Sequence, residues 1–206
     1  MIDLFVFDLG KVILPFEHRP IASKLWQRSR KKGRLTVEEI FQDLFDLDNG
    51  AINRYEEGLS SSDEFFLEMR KRYDLALEFE EFKEIWNNIF WDEPEVNEII
   101  VYLKEKGYPV FLLSNTNELH FSHIIERFPI IHSLDEWILS FEVGAKKPNK
   151  RIYDAIFEKT DVAREKVLYI DDVDAYVSAA RSYGIIQGLV YTKPDDLRAL
   201  LEKNGI

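Results

Sequence analysis

The chain has 206 residues, no cysteine and a formal net charge of −11. Its length suits one large core with a small inserted domain, and its 46% hydrophobic content is typical of a folded protein. The absence of cysteine excludes disulfides, zinc–thiolate sites and thiol catalysis. The acidic charge offers no basic face for nucleic acid, and no run approaches the roughly 18 apolar residues of a membrane span. Asp3, with no cationic stretch before it, argues against a signal peptide. We therefore expect a cytoplasmic protein that binds neither nucleic acid nor membrane.

The first predicted strand covers residues 2–7, and its apolar core LFVF ends at Asp8-Leu9-Gly10. Ligands of open α/β sheets bind outside the carboxyl ends of the strands, where Asp8 would stand. An aspartate that merely caps a turn is the alternative for this segment taken alone.

Residues 16–96 carry long amphipathic stretches with almost no strand signal. One stretch opens with a predicted capping box at Thr36, and another opens in a similar way at Ser62. Apolar residues recur at intervals of three and four, for example at Ile40, Leu44, Phe45 and Leu47. These features predict a small helical bundle with helices over 21–32, 36–50, 60–73 and 79–91.

From residue 97 onward, predicted helices and strands alternate, which implies a parallel sheet covered by helices. The first strand must join this sheet because the bundle offers it no partner. We therefore expect a Rossmann-like α/β core of residues 1–15 and 97–206, with residues 16–96 as an inserted all-helical domain. The predicted strands are 108–114, 137–141, 166–170 and 185–191, and the predicted helices are 96–107, 118–128, 149–160, 174–182 and 194–205.

Polar residues follow several of these strands at their carboxyl ends. Ser114-Asn115 ends one strand, Lys146-Lys147-Pro148 lies in the loop after the next, and Asp171-Asp172 ends a third. Each group has an ordinary structural alternative: a helix cap, an exposed turn and an N-cap pair, respectively. Their joint occurrence with Asp8 favours one site.

The segments FDLGKVI, LLSNTN, GAKKP and LYIDD, in this order and spacing, resemble the four motifs of the haloacid dehalogenase-like hydrolase superfamily. The helical insert lies where many members carry a helical cap. The chain is most similar to the phosphatase branch that includes glucose-1-phosphate phosphatases and the N-terminal domain of soluble epoxide hydrolase.

The resemblance implies a catalytic role for three residues. Asp8 would attack phosphorus to form an aspartyl-phosphate, which water then hydrolyses. Lys147 would neutralise the nucleophile and the transferring phosphoryl group, with Lys146 as the less fitting choice. Asp171 would bind Lys147 or an outer water molecule.

The resemblance also implies a binding site for phosphate and Mg²⁺. The Ser114 hydroxyl and the Asn115 backbone N–H would donate to phosphate oxygens. Lys11 would contact a second anionic group of the substrate or point into solvent. Asp8, the Gly10 carbonyl and Asp172 would bind Mg²⁺, a cation that prefers oxygen ligands.

The sequence departs from the family pattern at two positions. Gly10 stands where members usually have a second aspartate, which protonates the leaving group, and Tyr176 stands where they usually have Asp or Asn. Asp174 could compensate at the metal. His18 or Glu17 could supply the missing proton, or both could be surface residues of a hinge. His120, His123 and His132 are taken as structural.

These features predict a Mg²⁺-dependent phosphatase of a small phosphorylated metabolite, such as a sugar phosphate, acting as a monomer or weak homodimer. One alternative is a haloacid dehalogenase, which uses the same nucleophile on carbon without a metal. The other is a degenerate member that binds a phosphorylated ligand or a protein partner without turnover.

Overall fold

The computed structural model describes residues 1–46 and 48–206 and, within them, contains a sheet of five parallel strands. The strands are β1 (Leu4–Phe7), β2 (Val110–Ser114), β3 (Glu136–Leu139), β4 (Val167–Asp171) and β5 (Gln187–Val190). Their order across the sheet is β3-β2-β1-β4-β5, with every neighbouring pair parallel. The predicted parallel α/β fold is confirmed.

The central strand β1 is buried along its whole length, as are β2 and β4 on either side. Short runs of apolar residues suit such positions because helices cover both faces of a parallel sheet. Phe7 pairs with Leu112 of β2 and with Ile170 of β4, so the three strands end at the same level. This register places Asp8 between the ends of β2 and β4.

Helices cover the two faces of the sheet and form one hydrophobic cluster on each side. Leu103 and Leu197 belong to the cluster on one face, and Tyr153 and Val177 belong to the cluster on the other. The helices concerned are α6 (Pro94–Glu105), α7 (Glu118–Arg127), α8 (Ser140–Val143), α9 (Lys150–Asp154), α10 (Asp174–Ser182) and α11 (Pro194–Lys203), with 3₁₀ turns at 129–133, 155–158 and 164–166. None of the helices in the described ranges is long and apolar enough to cross a bilayer.

The segment between β1 and α6 forms a helical bundle with its own hydrophobic cluster. Buried aromatic rings of Phe65, Phe82 and Trp86 lie in this cluster, which Leu119 of α7 joins from the sheet side. The bundle helices are α1 (Arg19–Arg28), α2 (Val37–Phe45), α3 (Ile52–Glu56), α4 (Ser62–Tyr73) and α5 (Phe79–Asn87). The division into a core of 1–15 and 97–206 and a cap of 16–96 stays a prediction.

Local sequence signals placed the bundle helices well at their starts. The capping box at Thr36 is confirmed, with Glu39 as its reciprocal partner. The second box begins at Ser61 and not at Ser62, because the Ser61 hydroxyl reaches the Glu64 N–H, three residues later. Helix α2 ends at Phe45, short of the predicted 50, and Leu47 lies outside the described residues.

The structure differs from the predicted elements at several points, and the helix predicted over 149–160 is α9 followed by the 3₁₀ turn at 155–158. Helix α3 was not predicted, since five residues are too few for a clear helical period. The strand predicted over 137–141 stops at Leu139, and the chain turns into α8, which ends at Gly144 with a φ of 70°. The Ser140 hydroxyl explains the turn, because it accepts the Thr116 N–H and donates to the Thr116 carbonyl, at 2.9 and 3.0 Å.

Candidate active site

The ends of β1 and β4 bring two carboxylates to one lysine. The Nζ atom of Lys147 lies 2.6 Å from Oδ1 of Asp8 and 2.7 Å from Oδ2 of Asp171. The lysine side chain is 1% exposed, and the side chains of Asp8 and Asp171 are 10% and 0% exposed. The sequence placed these three residues in one site, and the structure brings them into direct contact.

Lys147 reaches the site because the loop after α8 is tied to the loop after β2. The Asn115 side chain accepts the Lys147 N–H at 2.7 Å and donates to the Lys147 carbonyl at 3.2 Å. The Lys147–Pro148 peptide bond is cis. The alternative of an ordinary exposed turn is wrong, since Lys147 is almost fully buried.

Asp171 is held on both of its carboxylate oxygens. Oδ1 accepts the backbone N–H of Val173 at 2.8 Å, while Oδ2 accepts from Lys147 and from the hydroxyl of Tyr169. The alternative of an N-cap pair is wrong, because Val173 precedes α10 and no side chain caps it. Asp171 therefore orients the lysine.

Three carboxylates at this edge could hold a cation. Asp8, Asp171 and Asp172 each offer an oxygen atom within 4.8 Å of the others. Because Asp171 already accepts three hydrogen bonds, Asp8 and Asp172 are the carboxylates better placed to bind a metal. A set made only of oxygen donors suits Mg²⁺. Three acidic groups around one buried lysine also leave an excess of negative charge that a divalent cation would neutralise.

The titration of the buried carboxyls reflects this charge. Burial raises the pKa of Asp8 to about 7, with Lys147 opposing the shift and Asp171 and Asp172 adding to it. Burial, followed by the charge of Asp171, also raises the pKa of Asp172. Burial alone would lower the pKa of Lys147, but the charges of Asp8 and Asp171 outweigh it and raise that pKa. Asp8 thus needs positive charge nearby to stay ionised.

The predicted phosphate-binding residues lie at the end of β2. Ser114 is 2% exposed and lines the cavity above the sheet, and its hydroxyl makes no hydrogen bond with any other residue in the described ranges. The alternative of a helix cap at Ser114 or Asn115 is wrong, since Asn117 caps α7 by accepting the His120 N–H. The Ser114 hydroxyl is therefore free to donate to a ligand.

Lys11 lies at the rim of the same cavity and is exposed. Its φ of 58° is in the left-handed region, where a residue with a Cβ atom is strained. The ammonium group lies 5.7 Å from the ring centroid of Phe16. This position is compatible with either reading of Lys11, contact with an anionic substrate or exposure to solvent.

The space beside Gly10 is filled by an aromatic ring. A Cβ atom at Gly10 would lie 2.5 Å from Cε1 and 3.2 Å from Cδ1 of Phe16, too close for either atom. The Phe16 ring contacts the rings of His18 and Phe90, with centroids 4.6 and 5.9 Å away. Any side chain at position 10 would therefore have to displace Phe16.

A cavity of about 500 Å³ separates the acidic edge of the sheet from the helical bundle. Its volume suits a small metabolite. The bundle side presents both aromatic and polar groups: Phe16, His18, Phe45, Asp46, Asp48, Asn53, Glu56 and Phe90.

Two histidines face this cavity, and they differ in the hydrogen bonds that their rings make. His120 has both ring nitrogens engaged, by the side-chain amide of Asn117 at 3.1 Å and by the carbonyl of Trp86 at 3.0 Å. Burial lowers the pKa of His120 to about 3. The His18 ring stacks on Phe45 at 4.1 Å, and it makes no hydrogen bond within the part of the chain that the structure describes. Burial, followed by the charge of Lys11, lowers the pKa of His18 to about 4.

An ion pair between the bundle and the loop after α8 was not predicted. Lys146 lies 3.0 Å from Glu56 of α3, and both side chains are about 85% buried, with 16% and 15% exposed. Lys146 also donates to Asn53 at 2.5 Å. Lys146 thus contacts the bundle, while Lys147 contacts Asp8. The sequence did not reveal this pair because Glu56 lies in the short helix α3, whose five residues show no clear helical period.

Neither Tyr176 nor Glu17 belongs to the cluster formed by Asp8, Asp171 and Asp172. The Tyr176 ring packs against Lys147, whose Nζ lies 5.1 Å from the ring centroid. Glu17 is exposed and accepts the Arg19 backbone N–H at 3.0 Å. Asp174 is exposed and lies outside the carboxylate cluster.

Comparison with known proteins identifies the family. Residues 2–184 match the family model described as haloacid dehalogenase-like hydrolase. The chain is 26% identical, over 89% of each chain, to a D-ribitol-5-phosphate phosphatase from Bacteroides thetaiotaomicron. It is 29% identical to a phosphorylated carbohydrates phosphatase from Thermotoga maritima, over 62% of this chain and 59% of that protein.

A solved structure has the same fold. It is a HAD family enzyme from Bacteroides thetaiotaomicron in complex with magnesium and inorganic phosphate, with a TM-score of 0.81 and 23% identity over 93% of this chain and 95% of that one. At this identity the likeness concerns the fold alone. The match to the family model covers most of the chain, including all four motifs, and with it the resemblance read from those motifs is confirmed. The chain belongs to the haloacid dehalogenase-like hydrolases.

Proposed function

We propose that this hydrolase is a Mg²⁺-dependent phosphatase of a small phosphorylated metabolite, and that it works through an aspartyl-phosphate on Asp8. The observation that carries the proposal is the contact of Lys147 with both Asp8 and Asp171, at 2.6 and 2.7 Å, at the base of a cavity. A buried lysine between two carboxylates holds the nucleophile in place and offers positive charge to a phosphoryl group.

The proposal gives the remaining site residues the following roles. The Ser114 hydroxyl and the backbone N–H of Asn115 would donate to phosphate oxygens, while the Asn115 side chain keeps the Lys147 backbone in position. Asp8, the Gly10 carbonyl and Asp172 would hold Mg²⁺. When bound, this cation supplies positive charge to the carboxylates and to the phosphate oxygens.

The chemistry assigned to Asp8 requires an ionised carboxylate. One of its oxygens attacks phosphorus, and the bond from phosphorus to the leaving oxygen breaks. Burial opposes this ionisation by raising the Asp8 pKa to about 7, and the Lys147 charge favours it. Asp171 acts through Lys147 by fixing the direction of its ammonium group.

We also propose residues 16–96 as a cap that selects the substrate. The bundle forms the wall of the cavity opposite Asp8, and its aromatic and polar groups suit a hydroxylated carbon chain. Two similar proteins are named as phosphatases of D-ribitol 5-phosphate and of phosphorylated carbohydrates. These names support phosphorylated carbohydrates as the first compounds to test.

The test is phosphate release from a panel of sugar and polyol phosphates, with and without Mg²⁺. We expect turnover that requires Mg²⁺ and is lost in Asp8→Asn. Asp161→Asn is the matched control, because it makes the same change at an exposed position on the core. If no panel member is hydrolysed, or if Asp8→Asn hydrolyses them as fast as the wild type does, the proposal fails.

A further inference from the structure

Lys146 connects the loop that carries Lys147 to the helical bundle. Its ammonium group donates to Oδ1 of Asn53 at 2.5 Å and to Oε2 of Glu56 at 3.0 Å. Asn53 and Glu56 are three positions apart, so both lie on one face of α3, and this face lines the cavity. The side chains of Lys146 and Glu56 are 16% and 15% exposed. The lysine thus makes a buried polar contact with the bundle side of the cavity.

This contact extends to the turn between α2 and α3. The side-chain amide of Asn53 donates to the carbonyl of Asp46 at 3.3 Å, and the Asp46 carboxylate accepts the N–H of Asp48 at 3.1 Å. Four residues of this region line the cavity, and we call them its polar wall: Asp46, Asp48, Asn53 and Glu56. Through Asn53 and Glu56, Lys146 is connected to the whole polar wall.

The loop that carries Lys146 is held by the core itself. The Asn115 side chain binds both the N–H and the carbonyl of Lys147, at 2.7 and 3.2 Å. The Lys146 carbonyl accepts the N–H of Asn149 at 2.8 Å, and the Asn149 side chain caps α9 by accepting the Arg151 N–H. Because these bonds need no group from the bundle, the ion pair of Lys146 acts on α3 and not on the catalytic lysine.

The other contacts of α3 with the core lie away from the cavity. The Tyr55 hydroxyl accepts the N–H of Leu119 at 3.0 Å. Gly58, just after α3, passes so close to α8 that a Cβ atom there would overlap the carbonyl oxygen of Phe141. None of these four residues lines the cavity. They hold the end of α3 and the face turned from the cavity, while Lys146 holds the face that borders it.

We propose that Lys146 is a positioning residue for substrate selection: by holding Asn53 and Glu56 from a loop fixed in the core, it sets the distance between the polar wall and Asp8. The inference deepens the proposed function and rests on it, because it names the residue that orients the proposed cap. Lys146 acts through α3, whereas the phosphoryl group is assigned to Lys147. Directional contacts to a rigid element are what such positioning requires.

Charge makes the position of α3 depend on this lysine. Burial raises the pKa of Glu56, and the charge of Lys146 opposes that shift. Without the ammonium group, the carboxylate of Glu56 would stay buried without its counter-ion, which is strongly unfavourable. Movement of α3 toward water would relieve this cost and would move the polar wall with it.

The first measurement is the distance between α3 and the core. The chain has no cysteine, so spin labels attach only to introduced cysteines. Arg54→Cys on α3 and Glu158→Cys on the core are both at exposed positions. Double electron–electron resonance should give a narrow distance distribution with Lys146 present and a broader one in Lys146→Met. Lys146→Arg keeps a cation and should keep most of the narrow distribution, and Lys150→Met, at an exposed ion pair, is the control.

The second measurement compares kcat/KM for two substrates. One is acetyl phosphate, which has only a short acyl group to present to the polar wall, and the other is the sugar or polyol phosphate that the wild type hydrolyses best. Lys146→Met should lower kcat/KM for the carbohydrate phosphate more than for acetyl phosphate, by a factor on the order of 10–10², because a displacement of about 1 Å can cost that much. Glu56→Gln should act in the same direction. The double variant should lose no more than Lys146→Met alone, since both residues act through one contact.

Three results would overturn the inference. An unchanged distance distribution in Lys146→Met would show that α3 does not depend on the lysine. Equal losses for both substrates would place Lys146 at the phosphoryl group, and losses that multiply in the double variant would mean that Lys146 and Glu56 each bind the substrate directly.

The two measurements also separate this inference from the proposed function. If the wild type hydrolyses no phosphate ester, the proposed function fails, and the distance distribution still decides whether Lys146 positions α3. Should Lys146→Met not fold, Glu56→Gln takes its place in both measurements, because it removes the charge and keeps the shape of the side chain.

Discussion

Replacing Lys147 by methionine should destabilise the protein strongly, and more so at high pH. The substitution keeps an unbranched apolar side chain as far as Cε but removes the only ammonium group within hydrogen-bonding distance of Asp8 and Asp171 in the described ranges, 2.6 and 2.7 Å away. Breaking a buried pair by removing one partner costs about 3–5 kcal/mol, because the other charge stays buried and uncompensated. In a chain of this size each kcal/mol corresponds to roughly 2–4 °C in Tm, so we expect Tm to fall by about 6–20 °C.

The pH dependence follows from the sign of the Asp8 shift. The folded-state pKa of Asp8 is raised, to about 7 from an ordinary 3.8. A carboxyl with a raised folded pKa binds its proton more tightly in the folded state, so stability falls as pH rises through the window between the two values. Without Lys147 the pKa of Asp8 in the folded state rises further, so stability keeps falling up to a higher pH. The penalty relative to wild type should therefore be larger at about pH 8.5 than at about pH 6.

Urea unfolding at the two pH values, without metal, measures this effect. Lys150→Met is the control, since its pair with Asp154 is exposed at 56% and 37%, and such pairs contribute about 0–1 kcal/mol. Adding Mg²⁺ should restore more stability to Lys147→Met than to the wild type, because the cation replaces part of the lost charge. The reasoning is refuted if Lys147→Met is as stable as Lys150→Met at both pH values.

Three further outcomes are expected. Burial lowers the pKa of His120 to about 3, so below about pH 6.5 only the unfolded state binds a proton at this imidazole. The free energy of unfolding of the wild type relative to His120→Asn, measured in urea, should therefore fall as the pH is lowered from about 6.5 to 4. A difference that does not change with pH would contradict this prediction. Ser61→Ala removes the capping hydroxyl of α4 and should lower the free energy of unfolding by about 1 kcal/mol. Ser60→Ala is the control, and an equal loss of stability in that variant would show that the cap does not stabilise the helix. Mg²⁺ should raise the Tm of the wild type by binding the folded state. This increase in Tm should be smaller in Asp172→Asn but unchanged in Asp161→Asn. If both variants show the same increase, Asp172 is not a ligand of the metal.

The cavity takes its lining from two parts of the chain. Asp8, Lys147 and Asp171 form a buried unit that needs no group from the bundle. The bundle supplies the opposite wall of the cavity, with Phe16 against Gly10. Under the proposed function, the groups that would hold the phosphoryl group come from the sheet, and those that would face the rest of the substrate come from the bundle.

The sequence alone was sufficient for the fold class and for the residues of the acidic edge. Short apolar runs such as LFVF specify buried strands, and alternation with helices specifies a parallel sheet. Because parallel strands end at one edge, the sequence alone places Asp8, Ser114 and Asp171 together. The motifs then added Lys147 from the neighbouring loop.

Only the tertiary structure decided which groups touch and what fills the space between them. Lys146 and Lys147 are adjacent in sequence, yet one pairs with Glu56 of the bundle and the other with Asp8. Phe16 occupies the volume beside Gly10, and His120 has both nitrogens satisfied while His18 has none bound within the described ranges. Local patterns determine secondary structure because they act over a few residues. Contacts between segments far apart in the chain depend on how the bundle packs on the sheet, and periodicity carries no information about that.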